Sequence, residues 1–389
     1  MKRSFALLTA FILLMVMALP IAPHAQAAPA DTAPYAPGEI IVKFKPGIVQ
    51  SQITSLHRTN QAKLLFRSKE IGFDVIRASG KSVTELIRDY RNNPLVEYAE
   101  PNYYFHATWT PNDPALSKQW ALPKIRANDA WNATKSNNGI RVAVVDTGVQ
   151  YNHPDLYGKV IKGYDYVGKD WDPSDGNGHG THVAGVIAAA TNNHKGIAGI
   201  APNAMIYAVR VLDNNGNGTL ENVANGIIHA ADQGAKVINL SLGAGYDSQT
   251  LKDAVQYAWS KGAVVVAAAG NSNSSQPSYP AYYDQVIAVG ATDKYDNKAS
   301  FSNFGSWVDV AAPGVDIYST YPIAYGQYAT MSGTSMAAPH VSGLAALLAA
   351  QGRSNSEIRD AIQKTADKTV GTGTYWTYGR INASKAVRY

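Results

Sequence analysis

The chain has 389 residues, 46% of them hydrophobic, enough for a sizeable core and too many for one ordinary domain. It contains no cysteine, which excludes disulfides, thiol chemistry and cysteine-based zinc sites. The formal charge of +5 lies mostly in the leader: residues 1–108 carry 12 Lys and Arg against 8 Asp and Glu, and the remainder 22 against 21, so nucleic-acid binding has no support.

Residues 1–27 open with Lys2 and Arg3, run through an apolar stretch and end at "AQA". A basic start, a short apolar middle and a small-residue exit form the pattern of a secretory signal rather than a membrane anchor. No later segment is long and apolar enough to span a bilayer, so the mature chain is expected to be exported, extracellular and without stable membrane association. A Pro- and Ala-rich spacer follows. Within residues 28–108, "EIIVKFK", "GFDVIRA" and "VEYAEPNYYF" have strand patterns, and "VQSQITSLHRT" and "SVTELIRDYRNN" have helical ones. These predict a small α+β unit over about 38–105, of a size that is marginally stable alone.

From residue 109 to 389 the texture changes. "IRVAVVD", "MIYAVRVL", "AKVINLSLG", "AVVVAAAGN" and "QVIAVGAT" are near-continuous apolar runs, as expected of parallel strands buried on both faces. "LENVANGIIHAADQG" and "TLKDAVQYAWSKG" between them carry helical periodicity and end at glycines. The predicted fold is α/β, a doubly wound, mostly parallel sheet, in which active groups gather at the carboxyl ends of strands.

Three positions stand out against that frame. Asp146 ends the strand "RVAVVD", His179 opens a helix after a glycine loop, and Ser335 opens the long apolar helix of "SGTSMAAPHVSGLAALLAA". Each alone reads as a turn former or cap. Together they supply the hydroxyl, the imidazole and the carboxylate that nucleophilic acyl transfer needs. Their order, Asp then His then Ser, differs from the Ser, Asp or Glu, His order of α/β-hydrolases and the His, Asp, Ser order of chymotrypsin-like enzymes. His182, three residues after His179, raises the alternative of a shared metal ion. No glutamate stands between the pair as in H-E-x-x-H, so His182 is expected to be a packed residue.

The stretches "VVDTGV", "HGTHVAG" and "GTSMAAPH" resemble the three catalytic signatures of the subtilisin-like serine proteases, and the resemblance covers essentially all of residues 109–389. "TPNDP", "FGSWVDVAAPG" and "GTGTYW" are similar to its thermitase-like branch, and "GEIIVKFKPG" resembles that family's inhibitory propeptide. The resemblance implies a secreted serine endopeptidase, a monomer acting on proteins and peptides, made as a self-processing precursor with its own propeptide as intramolecular inhibitor. It implies His179 as general base, Asn271 in "AAAGNS" as an oxyanion donor, and a maturation bond between about 105 and 109. Gly216, Asn217 and Gly218 would form one substrate edge, and Ser241, Leu242 and Gly243 the other. Ala268, Ala269 and Gly270 would wall the pocket for the residue before the scissile bond, with Ser278 near its floor. No acidic residue lies in those segments, so a roomy apolar pocket for large hydrophobic residues is expected. Structural calcium (Ca2+) would sit on the Asp113, Asp155 and Asn193 side chains with the carbonyls of Ala190, Lys195 and Ile197. A second site is suggested by Asp165, Asp170 and Asp172; Gly168 stands where the family has a further acid, so a weaker site or one shifted toward Asp175 is the alternative.

Overall fold

A computed structural model describes residues 35–104 and 109–389; the signal segment, the spacer and most of the interval expected to hold the maturation bond lie outside those residues. Backbone contacts divide the chain into two units between Tyr103 and Tyr104.

The first unit runs β1 (Tyr35–Phe44), α1 (Gln50–Thr59), β2 (Ala62–Arg67), β3 (Phe73–Ala78), α2 (Val83–Arg91) and β4 (Val96–Tyr103). Its antiparallel sheet has the order β2-β3-β1-β4. Helix α2 starts at a capping box, Ser82 with Glu85, and buries Val83, Leu86 and Tyr90 in a core that includes Ile40, Val42 and Ile76. That core also holds a polar relay: His57 Nε2 lies 2.9 Å from Asp74 Oδ2, and its Nδ1 2.8 Å from the Tyr90 hydroxyl. Strand β2 is the element the sequence patterns miss. It is an edge strand whose Leu64, Leu65 and Phe66 are all exposed, so no inward alternation marks it.

The second unit begins with two short helices, α3 (Ala121–Lys124) and α4 (Ala127–Ala130), followed by β5 (Arg141–Asp146), β6 (Val160–Asp165), α5 (His179–Ala188), β7 (Met205–Arg210), α6 (Leu220–Asp232), β8 (Val237–Leu240), α7 (Gln249–Ser260), β9 (Val264–Ala268) and β10 (Val286–Thr292). It continues through β11 (Val310–Pro313), β12 (Ile317–Thr320), β13 (Tyr328–Met331), α8 (Thr334–Ala349), α9 (Asn355–Lys364), β14 (Gly379–Arg380) and α10 (Ala383–Ala386). Eight strands form one sheet in the order β14-β11-β10-β9-β8-β5-β7-β6, and every neighbouring pair in it is parallel. The expected doubly wound parallel sheet is present.

Alternation along β5 explains the layers. Val142 and Val144 face a core shared with α5, α8 and α9, while Ala143 and Val145 face one shared with α6 and α7. Strand β5 has β7 on one side and β8 on the other, so the chain reverses its direction of travel across the sheet there. The crevice beyond the carboxyl ends of the strands at such a reversal is where ligands bind in open α/β sheets. Asp146 is the last residue of β5, Ser241 follows β8, and Asn271 lies just beyond β9.

Candidate active site

Asp146 is fully buried, and its Oδ1 accepts from the Thr147 backbone N–H at 2.7 Å and lies 2.8 Å from His179 Nδ1. A carboxylate only accepts, so Nδ1 carries the ring proton and Nε2 keeps its lone pair. The other carboxylate oxygen, Oδ2, is buried without a hydrogen-bond partner, which leaves the negative charge concentrated beside the imidazole. Burial pulls the His179 pKa down, but the Asp146 charge and hydrogen bond, with Asp175 further off, outweigh it and hold the pKa above the ordinary histidine value. Its side chain is still 21% exposed.

The loop before His179 is held by Asp175, which the sequence offers only as an alternative ligand of the second calcium site. Asp175 accepts from the Asn177 and Gly178 N–H groups and from the Thr147 hydroxyl through Oδ1, and from the Thr181 N–H and hydroxyl through Oδ2. It therefore ties the first turn of α5 to the residue after Asp146. Gly178, at φ +107°, permits the turn, and a side chain there would collide with the Tyr321 ring.

Ser335 is the second residue of α8. Its hydroxyl donates to the Ser241 carbonyl at 3.1 Å, and Ser241 Oγ donates back to the Ser335 carbonyl at 2.8 Å. A buried chain supports the pair, from Ser342 Oγ to Asn239 Oδ1 at 2.8 Å and from Asn239 Nδ2 to Ser241 Oγ at 2.9 Å. Asn271 is fixed by its oxygen, which accepts from the Thr334 N–H at 2.8 Å and hydroxyl at 2.9 Å. That leaves its Nδ2 donors for another acceptor. The first turn of a helix has N–H groups without helical partners, and Ser335 lies in the first turn of α8.

His179, Gly216, Asn217, Gly218, Ser241, Leu242 and Gly243 line one cleft of about 840 Å³. Ala268, Gly270, Asn271, Ser278 and Ser335 line an adjoining pocket of about 360 Å³, which shares Leu242 and Gly243 with the cleft. Two expectations change here. Ala269 does not line the pocket; it packs with Val308, Ala311 and Trp376, because it follows Ala268 with its side chain turned to the other side. Nor is the pocket apolar: Ser272, Ser274, Gln276, Asn303 and Thr334 also line it, though none of its residues is acidic. Asn303 holds its wall by accepting from the Ser272 and Ser274 N–H groups and donating to the Ala269 carbonyl.

His182 lies apart from this chemistry. Its Nε2 shares its proton between the Ile317 and Ala329 carbonyls at 3.0 and 3.1 Å, and burial pushes its pKa down to about 4. It is a neutral packed residue, as expected.

Of the first set of oxygen ligands, the Asp113, Asp155 and Asn193 side chains come together. Asp155 Oδ1 accepts from Asn193 Nδ2 at 2.8 Å and its Oδ2 from the Ile197 N–H at 2.8 Å, while Asp113 accepts from the Asn192 and Asn193 N–H groups. Asn193 Oδ1 accepts from the Lys195 N–H, and the Asp155 carbonyl accepts from the Ala190 N–H. Both carboxylates are buried, and among the described residues neither forms an ion pair with Lys or Arg. Burial, with Asp155 as a like charge, pushes the Asp113 carboxyl up. Two buried carboxylates without a cationic partner, close enough for one to raise the other's pKa, are chemistry that fits calcium.

The second set does not form. Among the described residues no three acidic or histidine side chains converge as a metal site. Asp165 Oδ2 pairs with Arg210 at 2.8 Å, and Asp172 Oδ1 with Lys162 at 3.1 Å and with the Tyr151 hydroxyl. Asp170 instead accepts from the Asp172 N–H. Protein cations already answer the charges of Asp165 and Asp172.

A carboxylate-aligned imidazole lining the cleft, together with a hydroxyl and an amide donor lining the pocket that adjoins it, makes up a set able to carry out acyl transfer. Residues 137–380 match the model of the Subtilase family. The chain belongs to that family. Residues 21–102 match the Fervidolysin N-terminal prodomain. The subtilase is 56% identical over 369 residues to the Thermophilic serine proteinase of Bacillus sp. (strain AK1), covering 91% of this chain and 88% of that protein. It is 62% identical over 282 residues to Thermitase of Thermoactinomyces vulgaris, covering 72% of this chain and all of that one. Among solved structures, a protease of Pseudoalteromonas arctica matches with a TM-score of 0.66 at 34% identity, covering 72% of this chain and 99% of that one. The subtilase is thus a thermitase-like serine endopeptidase with a prodomain.

Proposed function

We propose that Asp146, His179 and Ser335 form the catalytic triad and that Asn271 and the Ser335 backbone N–H hold the oxyanion. The observation that carries this is the 2.8 Å contact between Asp146 and His179 Nδ1 beside a cleft that leaves Nε2 free. His179 Nε2 takes the Ser335 hydroxyl proton as Oγ attacks the substrate carbonyl carbon. The carbonyl oxygen becomes negative and is met by Asn271 Nδ2–H and the Ser335 N–H, donors of a kind worth about 10²- to 10³-fold in rate. His179 then passes the proton to the departing amine nitrogen as the C–N bond breaks. Water, deprotonated by the same nitrogen, releases the acyl group from Ser335.

The peptide would lie extended between Gly216–Gly218 and Ser241–Gly243, with the preceding side chain in the pocket of about 360 Å³. That pocket offers no carboxylate to Lys or Arg, which supports a preference for large uncharged residues over cationic ones. Residues 1–27 would direct export and be removed. Residues 28–108 would inhibit residues 109–389 until the enzyme itself cuts between about 105 and 109. The Asp113, Asp155 and Asn193 side chains, with the Ala190, Lys195 and Ile197 carbonyls, would hold a structural calcium ion. The ion would neutralise the two buried carboxylates and pin the loop after α5; it takes no part in bond cleavage.

Casein hydrolysis and fluorophosphonate labelling test the triad. Ser335→Ala, His179→Ala and Asp146→Asn should each lose about 10⁴-fold or more, without additivity. His182→Ala should lose stability instead. Because His179 must be neutral to act and its pKa is raised, kcat/KM should fall on acidification with a midpoint above about 6.5. Ser335→Ala should stay unprocessed in a host lacking helper proteases. A folded but inactive His182 variant beside an active His179 variant would overturn the assignment.

A further inference from the structure

The end of the 840 Å³ cleft beyond the glycine edges is built unlike its middle. Leu212, Leu220, Val223 and Leu251 give it an apolar floor, and Tyr246, Asp247 and Tyr279 complete the wall. Asp247 carries the sole carboxylate among the residues lining the cleft, and none of them is Lys or Arg. It accepts from the Tyr283 hydroxyl at 2.9 Å through Oδ1, and among the described residues no lysine or arginine pairs with it. Tyr283 also links Asp247 to the start of α7: its hydroxyl accepts from the Ser248 N–H at 3.1 Å. The segment is tied down further by the Ala244–Tyr279 backbone pair, with N–H to carbonyl distances of 2.9 and 2.8 Å in the two directions. The carboxylate is therefore held in place and remains uncompensated. Tyr246 stands beside it, 83% exposed with a face open to solvent.

An apolar floor alone would take any aliphatic or aromatic side chain. An apolar floor ending at a fixed carboxylate and tyrosine rings suits one kind better, a long hydrocarbon stem with a cation at its tip. We propose that this end of the cleft is a distal subsite selecting a lysine or arginine side chain of the bound peptide, with Asp247 as the residue that sets the charge preference. The proposal rests on the reading that peptides lie along this cleft. It places the enzyme's cationic preference away from the scissile bond, at a position distinct from the acid-free pocket beside Ser335.

The pair would be partly exposed, and exposed pairs yield about 0.2–1 kcal/mol, so the expected preference is about 1.4- to five-fold in kcat/KM. The test uses mature enzyme and fluorogenic peptides with one fixed residue before the scissile bond, scanning arginine, norleucine, phenylalanine and glutamate through each more distant position. At one position arginine should exceed norleucine by that factor, glutamate should fall below both, and the arginine advantage should vanish in about 1 M salt. In Asp247→Asn the arginine-to-norleucine ratio should drop to about one, and in Asp247→Lys the order of arginine and glutamate should invert. Cleavage of the norleucine peptides measures peptidase action by itself. With that cleavage present, equal ratios at every position, a preference for phenylalanine untouched by Asp247→Lys, or an arginine preference that survives in Asp247→Asn would overturn the subsite while leaving the endopeptidase in place.

Discussion

Two acidic clusters bear on the segments either side of α5, and they handle their charge in opposite ways. Before the helix, Asp165 and Asp172 are answered by Arg210 and Lys162, cations that the fold brings in from β7 and β6. Around the loop after it, Asp113 and Asp155 are buried together and face backbone N–H groups, an amide and a tyrosine hydroxyl. Spacing of aspartates along a sequence reports neither arrangement, because what decides metal binding is whether the protein itself supplies the counter-charge. On this view Arg210 is to the first cluster what a calcium ion would be to the second.

The largest effect expected from that comparison comes from Arg210→Ala. It would leave Asp165 buried and unpaired, at a cost of about 3–5 kcal/mol that added calcium does not restore. Thermal unfolding in the Ser335→Ala background, which prevents self-digestion, measures it. A loss under about 1 kcal/mol would mean that Asp165 has another source of compensation. Next in size is chelation: an ion present at a hundredfold excess over its dissociation constant contributes about 2.7 kcal/mol, so excess EDTA should lower the melting temperature by several degrees, and Asp113→Asn should blunt that response. An unaltered melting curve after time for slow release would remove the calcium proposal. The smallest effect is Lys162→Ala, whose pair with Asp172 is exposed. It should change stability by less than about 1 kcal/mol and leave the EDTA response as it was. A variant that became more sensitive to EDTA would show that Asp172 had joined a metal site after all.

The sheet was largely legible because strands buried on both faces are written as unbroken apolar runs, as β5, β7, β8, β9 and β10 show. Strand β6, half-buried and carrying Lys162, does not read that way, and β11 to β14 are too short for any period to emerge. At the candidate site, the motif positions were legible, whereas the residues that hold them were not. Asp175, Asn303 and Thr334 are ordinary loop and cap types; an aspartate bonding its own turn looks the same in sequence as one tying that turn to Thr147. Ala269 and the polar lining of the pocket were misread for a related reason. Side-chain direction where a strand gives way to a loop depends on backbone angles that the residue types do not encode.

Strand β14 adds a matter of timing. It closes one edge of the eight-stranded sheet by pairing with β11, where Ile381 N–H also bonds the Ala311 carbonyl, and the residues around it reach back to the start of the unit: Ala383 N–H bonds the Ile125 carbonyl, and Arg380 bonds the Lys124 carbonyl. Chains emerge from the ribosome at about 5–20 residues per second, and domains fold as units. The segments bearing Asp146, His179 and Ser335 are therefore all synthesised before the strand that completes one edge of their sheet and ties it to the start of the unit. A chain interrupted short of residue 380 lacks this closure, so the peptide-cutting sheet is whole only once that late strand has been made.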